Sequence, residues 1–352
     1  MAILPTTQAF DYTHSEPAAD APPLTGRRFF FQRHSRGRKT AAGLVPFGPR
    51  NTSQPLVTIG VPAYNRPALL RECLASLAAQ TEFDDFDVVV CDDLGLPETR
   101  HVVENSRLPR IRLHVNPQPL GAVGNWNRCL ELSTGTWVMI LHEDDTLYPW
   151  YFSTVVPRLR SGVSAVTMKC VQGQDPVPPP APGRPGKIRF YPSSCFIKSA
   201  MTPFPGVLFL REIAVQLGGF NARWGPLADY DFWYRLACSG SVETLGSVGA
   251  FYRENDGQWT CSVWPEMLRK NHLLRLRVAR EQFRRHPRLG RWLARFFTYR
   301  NARCYRRRFS ERPADLARAL KFGGRLERLL PSGWAWLLVR RLSRLRPAAA
   351  RS

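Results

Sequence analysis

Acidic residues are scarce in this chain: 28 Asp and Glu stand against 50 Lys and Arg among 352 residues, a formal net charge of +22. An excess of this sign points to an anionic partner such as nucleic acid, a phosphorylated ligand or an acidic lipid surface, and charge alone does not choose among them. No CxxC pair occurs among the eight cysteines (Cys73, Cys91, Cys129, Cys170, Cys195, Cys238, Cys261, Cys304), so a zinc ribbon and a dithiol redox motif are excluded. Their scatter through apolar segments reads as reduced core thiols of a cytoplasmic protein rather than a disulfide framework. The N-terminus lacks the basic region, apolar stretch and small-residue cleavage site of a secretory signal. The best membrane candidate, Trp334 to Val339, falls far short of the roughly 20 apolar residues that span a bilayer. Any membrane contact is therefore expected to be peripheral. There is no internal repeat, no zinc spacing and no aromatic-interleaved sheet signature, so nucleic acid is not the expected partner despite a pI near 10.5.

What is present is enough apolar material, 44% of residues, to bury a sizeable core. Composition divides the chain into three regions. Residues 1–55, rich in Pro, Thr, Ser and Arg, read as a mostly disordered basic arm interrupted by Phe29, Phe30 and Phe31. Residues 56–263 alternate strand and helix patterns. Residues 264–352 read as basic amphipathic helices, with Pro287, Pro313 and Pro331 as breaks.

Within the middle region, Val57, Ile59 and Val61 mark a strand, and Asn65 with Pro67 marks a helix start before Leu70, Cys73, Leu74 and Leu77 recur at helical spacing. The run Phe86 to Cys91 predicts a central strand covered on both faces, and Ile111, Leu113 and Val115 predict one nearer the edge. Gly121 and Gly124 lead into a helix through Leu132 that Gly135 is expected to close, followed by a buried strand at Trp137 to Leu141. Strand, helix, strand, strand, helix, strand is the order of a doubly wound nucleotide-binding sheet, in which ligands gather at the carboxyl ends of the strands. Further on, a helix is expected near Trp150 to Arg160, a strand near Ser164 to Cys170, a Pro- and Gly-rich loop or mobile lid at Gly173 to Lys187, and a strand at Val207 to Leu210. A helix from Arg211 to Leu217 stopped by Gly218-Gly219, a helix from Asp229 to Cys238 and a strand near Ser247 to Tyr252 complete the region.

Four short pieces carry chemistry in combination: Pro62-Ala63-Tyr64-Asn65 after one strand, Asp92-Asp93 after the next, Gly121 to Arg128, and Leu141-His142-Glu143-Asp144-Asp145. A fifth is Gly218-Gly219-Phe220 followed by Asp229 to Leu236. Together they resemble the family 2 glycosyltransferases of the GT-A fold, over roughly Leu56 to Arg253. The resemblance implies an α/β fold, a mostly parallel twisted sheet flanked by helices, here with a basic helical C-terminal extension.

It also implies an activity: transfer of a sugar, with inversion, from a nucleotide-diphosphate sugar donor to a hydroxyl of a glycan or lipid-linked acceptor. Such a reaction builds charge on a leaving diphosphate, which a divalent cation, Mg²⁺ or Mn²⁺, stabilises. Carboxylates at a strand end are suitable hard ligands. Asp144 matches the second aspartate of the family's DXD metal motif, with Asp145 beside it. His142 stands where the first aspartate usually lies, a variant within the resemblance, and with Glu143 it is assigned to the nucleotide-sugar pocket. Pro62, Tyr64, Asn65, Asp92, Asp93, Gly121 and Asn127 are expected in the same pocket, with Asn125 bracing it. A carboxylate must also take the acceptor's proton. Asp229 matches the aspartate of the family's Glu-Asp pair, although Ala228 replaces the glutamate, and Asp231 is the alternative base. Trp224, Trp233 and Tyr230 are candidates for stacking on sugar, with Trp233 weighted towards the core.

Two other readings compete. A sugar-1-phosphate nucleotidyltransferase usually carries a Gly-rich, Arg- or Lys-containing loop after its first strand, and Gly60 to Asn65 is not one. A non-enzymatic protein that binds nucleic acid or docks on membrane accounts for the basic tail, because Leu, Phe and Trp alternate with Arg from Leu268 to Phe309 as in an interfacial helix. An anionic membrane surface is thus a candidate partner. A solvated basic face covering the catalytic domain explains the same charge.

Overall fold

The run Phe86–Asp92 forms a strand that is buried at every position, the signature of a strand covered by helices on both faces. It is β2 of the computed structural model, which describes residues 54–176, 186–190, 192, 204–254, 263–308, 314, 317, 321 and 322. The expected N-terminal arm up to residue 53, Cys195, Cys261, most of the Gly173 to Lys187 loop, Pro313, Pro331 and the segment Trp334 to Val339 lie outside the described residues.

On one side of β2 lies β1 (Val57–Ala63), pairing Val57 with Phe86 and Ala63 with Asp92. On the other lies β3 (Ile111–Val115), pairing Asp92 with Val115. Beyond β1 comes β4 (Trp137–Ile140), in register from Val57↔Trp137 to Gly60↔Ile140. All three pairings are parallel. Crossover helices are therefore required: α1 (Pro67–Ala78), α2 (Pro97–Glu104) and α3 (Gly121–Leu132). Two expectations need correction here. Helix α2 was not anticipated, because its eight residues, PETRHVVE, hold only two adjacent valines as an apolar signal. Gly135 does not close α3, which ends at Ser133 in extended conformation. A Cβ on Gly135 would lie 2.5 Å from the Thr58 backbone nitrogen, so the glycine is there to let β1 approach.

The remaining strands extend the sheet to the order β3-β2-β1-β4-β8-β6-β9-β5, with β7 pairing β9. They are β5 (Thr146–Leu147), β6 (Val163–Gly173), β7 (Lys187–Phe190), β8 (Val207–Leu210) and β9 (Ser241–Arg253). Pairings β4–β8, β6–β8, β5–β9 and β7–β9 are antiparallel, whereas β6–β9 is parallel. The sheet is therefore mixed, with its parallel half carrying the nucleotide-type loops. Short helices α4 (Tyr151–Val155) and α5 (Arg211–Gln216), the 12-residue α6 (Ala228–Ser239) and two long basic helices, α7 (Trp264–Gln282) and α8 (Pro287–Arg308), complete the described chain.

One apolar cluster holds Cys91, Trp126, Phe209, Phe220 and Trp233 together with Leu274, Val278, Leu293 and Phe297 of α7 and α8. The apolar stripe expected to suit a lipid interface is in large part buried in this cluster. At roughly 1.5–3 kcal/mol per large side chain, this burial is a substantial share of what folding needs. What α7, α8 and the turn between them leave outside is mainly arginine: Arg280, Arg284, Arg285, Arg288, Arg291 and Arg295 are exposed. Among the described residues Cys73, Cys91, Cys129, Cys170 and Cys238 are free thiols.

Candidate active site

Parallel register decides where the site lies. Because Ala63 pairs with Asp92 and Asp92 with Val115, the next residues along each strand, Tyr64, Asp93 and Asn116, emerge side by side. Leu141, donating its N–H to the Gly60 carbonyl at 3.0 Å, leads His142 to Asp145 out at the same edge. Pro62 lies two residues past the last β1–β4 pair, Gly60↔Ile140, so its missing N–H costs no ladder bond there.

A buried amide network fixes this edge. Asn125 Nδ2 donates to the Cys91 carbonyl at 2.9 Å, and Asn125 Oδ1 accepts from Asn116 Nδ2 at 3.0 Å. Asn116 Nδ2 also reaches Asp93 Oδ1 at 2.8 Å. Asp93 then accepts the N–H groups of Leu120 and Gly121 at 2.8 and 2.9 Å, so the carboxylate sits on the N-terminus of α3. Asp92 turns its own loop: its two oxygens accept from Leu94 and Leu96 at 3.0 and 2.9 Å. Both aspartates were expected to meet the nucleotide, and both are buried and engaged by neighbouring protein N–H groups. Asn127 is likewise engaged by the protein itself. It pairs with the Phe220 backbone, donating to its carbonyl at 2.9 Å and accepting its N–H at 2.8 Å, which ties α3 to the Gly218-Gly219 turn. Gly219, at φ +66, leaves room for this, since a Cβ would stand 2.5 Å from Asn127 Oδ1.

Asn65 is not the cap of α1. It adopts φ 56, a left-handed turn that asparagine tolerates, and α1 starts after Arg66 with Pro67 in its first turn. The turn leaves Tyr64 40% exposed at the cleft and brings Arg66 to Asp144, with Nη1 to Oδ2 at 2.7 Å. The Tyr64 N–H donates to Glu143 Oε2 at 3.0 Å. Burial pushes the Glu143 carboxyl up to about 7.

His142, Asp144 and Asp145 each offer a ligand atom, and these atoms lie within 4.8 Å of one another. The His142 ring stacks on Trp126 at 5.4 Å between centroids and meets Phe204 at 4.5 Å. Burial in this aromatic wall lowers its pKa to about 4, so the imidazole is neutral and able to act as a ligand at neutral pH. His142 Nε2 and Asp145 Oδ2 are buried without a hydrogen-bond partner among the described residues. Two carboxylates and one imidazole, with buried polar atoms of this kind, fit a divalent cation. Asp145 is fully buried, its Oδ1 accepting the Arg253 N–H at 3.0 Å, and burial raises its carboxyl above the usual range. Arg253, at the end of β9, also donates from Nε to the Asp144 carbonyl at 3.1 Å.

On the acceptor side, Asp229 occupies the first turn of α6, half-buried, with Oδ1 accepting the Tyr230 N–H at 2.7 Å. Trp233 follows it by four positions, on the same helix face. Trp233 meets Phe204 at 5.6 Å, the ring that also covers His142. Burial pushes the Asp229 carboxyl up to about 7, the range suited to a general base near neutral pH. Asp231 is fully buried, with Arg235 Nε and Arg277 Nη1 donating to it at 2.7 and 2.5 Å. Buried and bound by one guanidinium from each helix, it ties α6 to α7. Trp233 and Tyr230 are buried in the core, so neither presents a free face for a sugar, whereas Trp224 packs partly against the core and keeps part of its surface exposed.

Three residues escaped the sequence reading: Arg66, Asn116 and Arg253. For the first two the signal was position, since each directly follows a motif or a strand on the ligand-bearing edge. Arg253 carried none, because its partners are 108 and 109 residues away.

An α/β sheet with an acidic turn of this kind at its parallel edge is the frame of a GT-A transferase. Residues 58–217 match the family described as glycosyl transferase family 2. Among relatives, an uncharacterized protein of Mycobacterium tuberculosis is 30% identical over 54% of this chain and 65% of its own. The GalNAc(5)-diNAcBac-PP-undecaprenol beta-1,3-glucosyltransferase of Campylobacter jejuni is 31% identical over 33% of this chain and 38% of its own. The chain thus spans under two thirds of the length of both. Among solved structures, S. aureus TarS 1-349 in complex with UDP-GlcNAc superposes with a TM-score of 0.56 at 16% identity, covering 82% of this chain and 87% of that one, a likeness of fold.

Proposed function

We propose that this protein is an inverting glycosyltransferase that moves a sugar from a nucleoside-diphosphate donor to a hydroxyl acceptor with the help of Mg²⁺ or Mn²⁺. The observation that carries the reading is the convergence of the Tyr64 loop, the Arg66–Asp144 pair and the His142–Asp145 cluster at one sheet edge. Asp144, with His142 or Asp145 beside it, would hold the cation, which supplies charge neutralisation at the diphosphate. Pro62, Tyr64 and Asn65 line the way in for the nucleotide, while Asp92, Asp93 and Gly121 hold the pocket's backbone in place. Asp229 takes the acceptor hydroxyl's proton as the new bond forms at the anomeric carbon and the bond to the diphosphate breaks.

The acceptor is proposed to be a lipid-linked glycan at an anionic membrane surface. Support comes from the undecaprenol-linked substrate named for the Campylobacter relative and from the exposed arginine face of α7 and α8. No helix among the described residues is long and apolar enough to cross a membrane, so contact would be through that face.

The test is calorimetric titration of UDP-, GDP- and dTDP-sugars with and without Mn²⁺, repeated on Asp144→Asn. One donor should bind only with the cation, and the variant should lose that dependence and roughly 10²–10³ in rate, as for other preorganised electrostatic groups. Absence of binding by every donor would overturn the reading. For the surface, salt-sensitive sedimentation with acidic liposomes and not with duplex DNA is expected.

A further inference from the structure

Arg66 sets a guanidinium directly on a carboxylate of the candidate cation cluster: Nη1 stands 2.7 Å from Asp144 Oδ2. Its side chain is 29% exposed while that of Asp144 is 9% exposed, so the arginine is the outer member of the pair. The same positive charge also reaches His142, Glu143 and Asp145. Backbone geometry aims it there. Asn65 at φ 56 reverses the chain, and Pro67 in the first turn of α1 fixes the direction in which the helix departs. A divalent cation on Asp144 and a guanidinium on the same oxygen repel one another, so both cannot keep their places. The displaced group would lie within the length of its own side chain of the cation's diphosphate, whose oxygens a planar fork of N–H donors matches well.

We propose that Arg66 is a built-in counter-ion that occupies Asp144 before the cation arrives and, displaced by it, becomes a ligand of the donor's diphosphate. The inference rests on the glycosyltransferase reading of the cleft. Its consequence is a pair of effects of opposite sign. Removing the guanidinium removes a competitor for Asp144, so the cation should bind better. It also removes a charge-assisted donor, so the nucleoside diphosphate should bind worse. A structural role for Arg66 would weaken both together.

The experiment measures Mn²⁺ binding by electron paramagnetic resonance without nucleotide, then UDP and GDP binding by calorimetry at saturating Mn²⁺, on the full chain. Arg66→Ala should bind Mn²⁺ about three- to tenfold more tightly and its preferred nucleoside diphosphate roughly tenfold more weakly, as loss of one charge-assisted hydrogen bond implies. Arg66→Lys, which keeps the charge without the fork, should fall between, and Arg66→Gln serves if the alanine variant does not fold. Parallel losses in both affinities, unchanged Mn²⁺ binding or unchanged nucleotide binding would each overturn the inference while leaving the cleft's assignment intact. Wild-type protein that binds neither Mn²⁺ nor a nucleoside diphosphate would end the assignment of the cleft, and the inference with it.

Discussion

The backbone N–H of Arg253 is donated to Asp145 Oδ1 at 3.0 Å, joining residues 108 positions apart. The Arg253 guanidinium extends the join: Nε meets the Asp144 carbonyl and Nη1 the Gln174 carbonyl, each at 3.1 Å, while Nη2 pairs with Glu72. The acidic turn after β4 therefore hangs from the far end of β9. Strand pairing adds to the turn's own Asp145 N–H to His142 carbonyl bond, since β5, directly after the turn, pairs Thr146 with Phe251.

Arg253→Met should therefore loosen the acidic turn without touching its ligands. The backbone bond to Asp145 survives, but the carbonyls of Asp144 and Gln174 lose a charged donor, a cost of about 2–3 kcal/mol. Urea unfolding should show the loss, and Mn²⁺ affinity should fall with it. An unchanged Mn²⁺ affinity in a destabilised protein would restrict Arg253 to the fold.

Asp229 predicts a pH dependence in activity and an opposite one in stability. Its carboxyl, pushed by burial up to about 7, works as a base only when ionised, so turnover should rise with pH through about 7 and level off above it. In the unfolded chain the group titrates near 4, so between about 4 and 7 the folded state holds the extra proton. The stability it contributes is thus fully present below about pH 4 and is lost as pH rises towards about 7. Asp229→Asn should abolish turnover, keep donor binding and flatten its share of the stability profile. Glu143, also pushed up to about 7, remains in the variant as an internal comparison.

For Asp231 the expected defect is in folding. Removing its charge by Asp231→Asn leaves Arg235 and Arg277 without their buried partner, which should destabilise the protein by about 3–5 kcal/mol. Thermal melts should report this, with donor binding by the remaining folded protein near normal. A variant of wild-type stability that fails only in turnover would return Asp231 to the chemistry.

Gly135→Ala places a methyl group 2.5 Å from the Thr58 nitrogen and 2.7 Å from the Val57 carbonyl carbon, a wall of backbone. Overpacking of this kind costs about 1–3 kcal/mol, and shifting β1 to relieve it would move Tyr64 and Arg66. Denaturation midpoint and donor affinity should fall together.

Periodicity and short motifs were enough to read β1, β2, β4 and the acidic turn. These elements are buried on both faces or carry their chemistry in consecutive residues. Helix α2, with its weak apolar signal, was missed for that reason. Turn chemistry was harder still: asparagine suits both a helix cap and a left-handed bend, and only the position of Arg66 separates the two at Asn65. The carboxylates show where local reading runs out. Asp92 and Asp93 look alike in sequence, yet one turns its own loop and the other sits on α3, because their partners come from residues up to 28 positions away. Asp231 read as an alternative to Asp229, and its burial depends on Arg277, 46 residues on, in a helix that the motif pattern does not include.

The packing of Leu274, Val278, Leu293 and Phe297 into the same apolar cluster as Phe220 and Trp233 has a practical meaning for anyone trimming the gene. A fragment cut where the family match ends, at residue 217, would strip away α6 and the two helices that shelter it. Expression boundaries for an autonomously folding piece must run at least through α8.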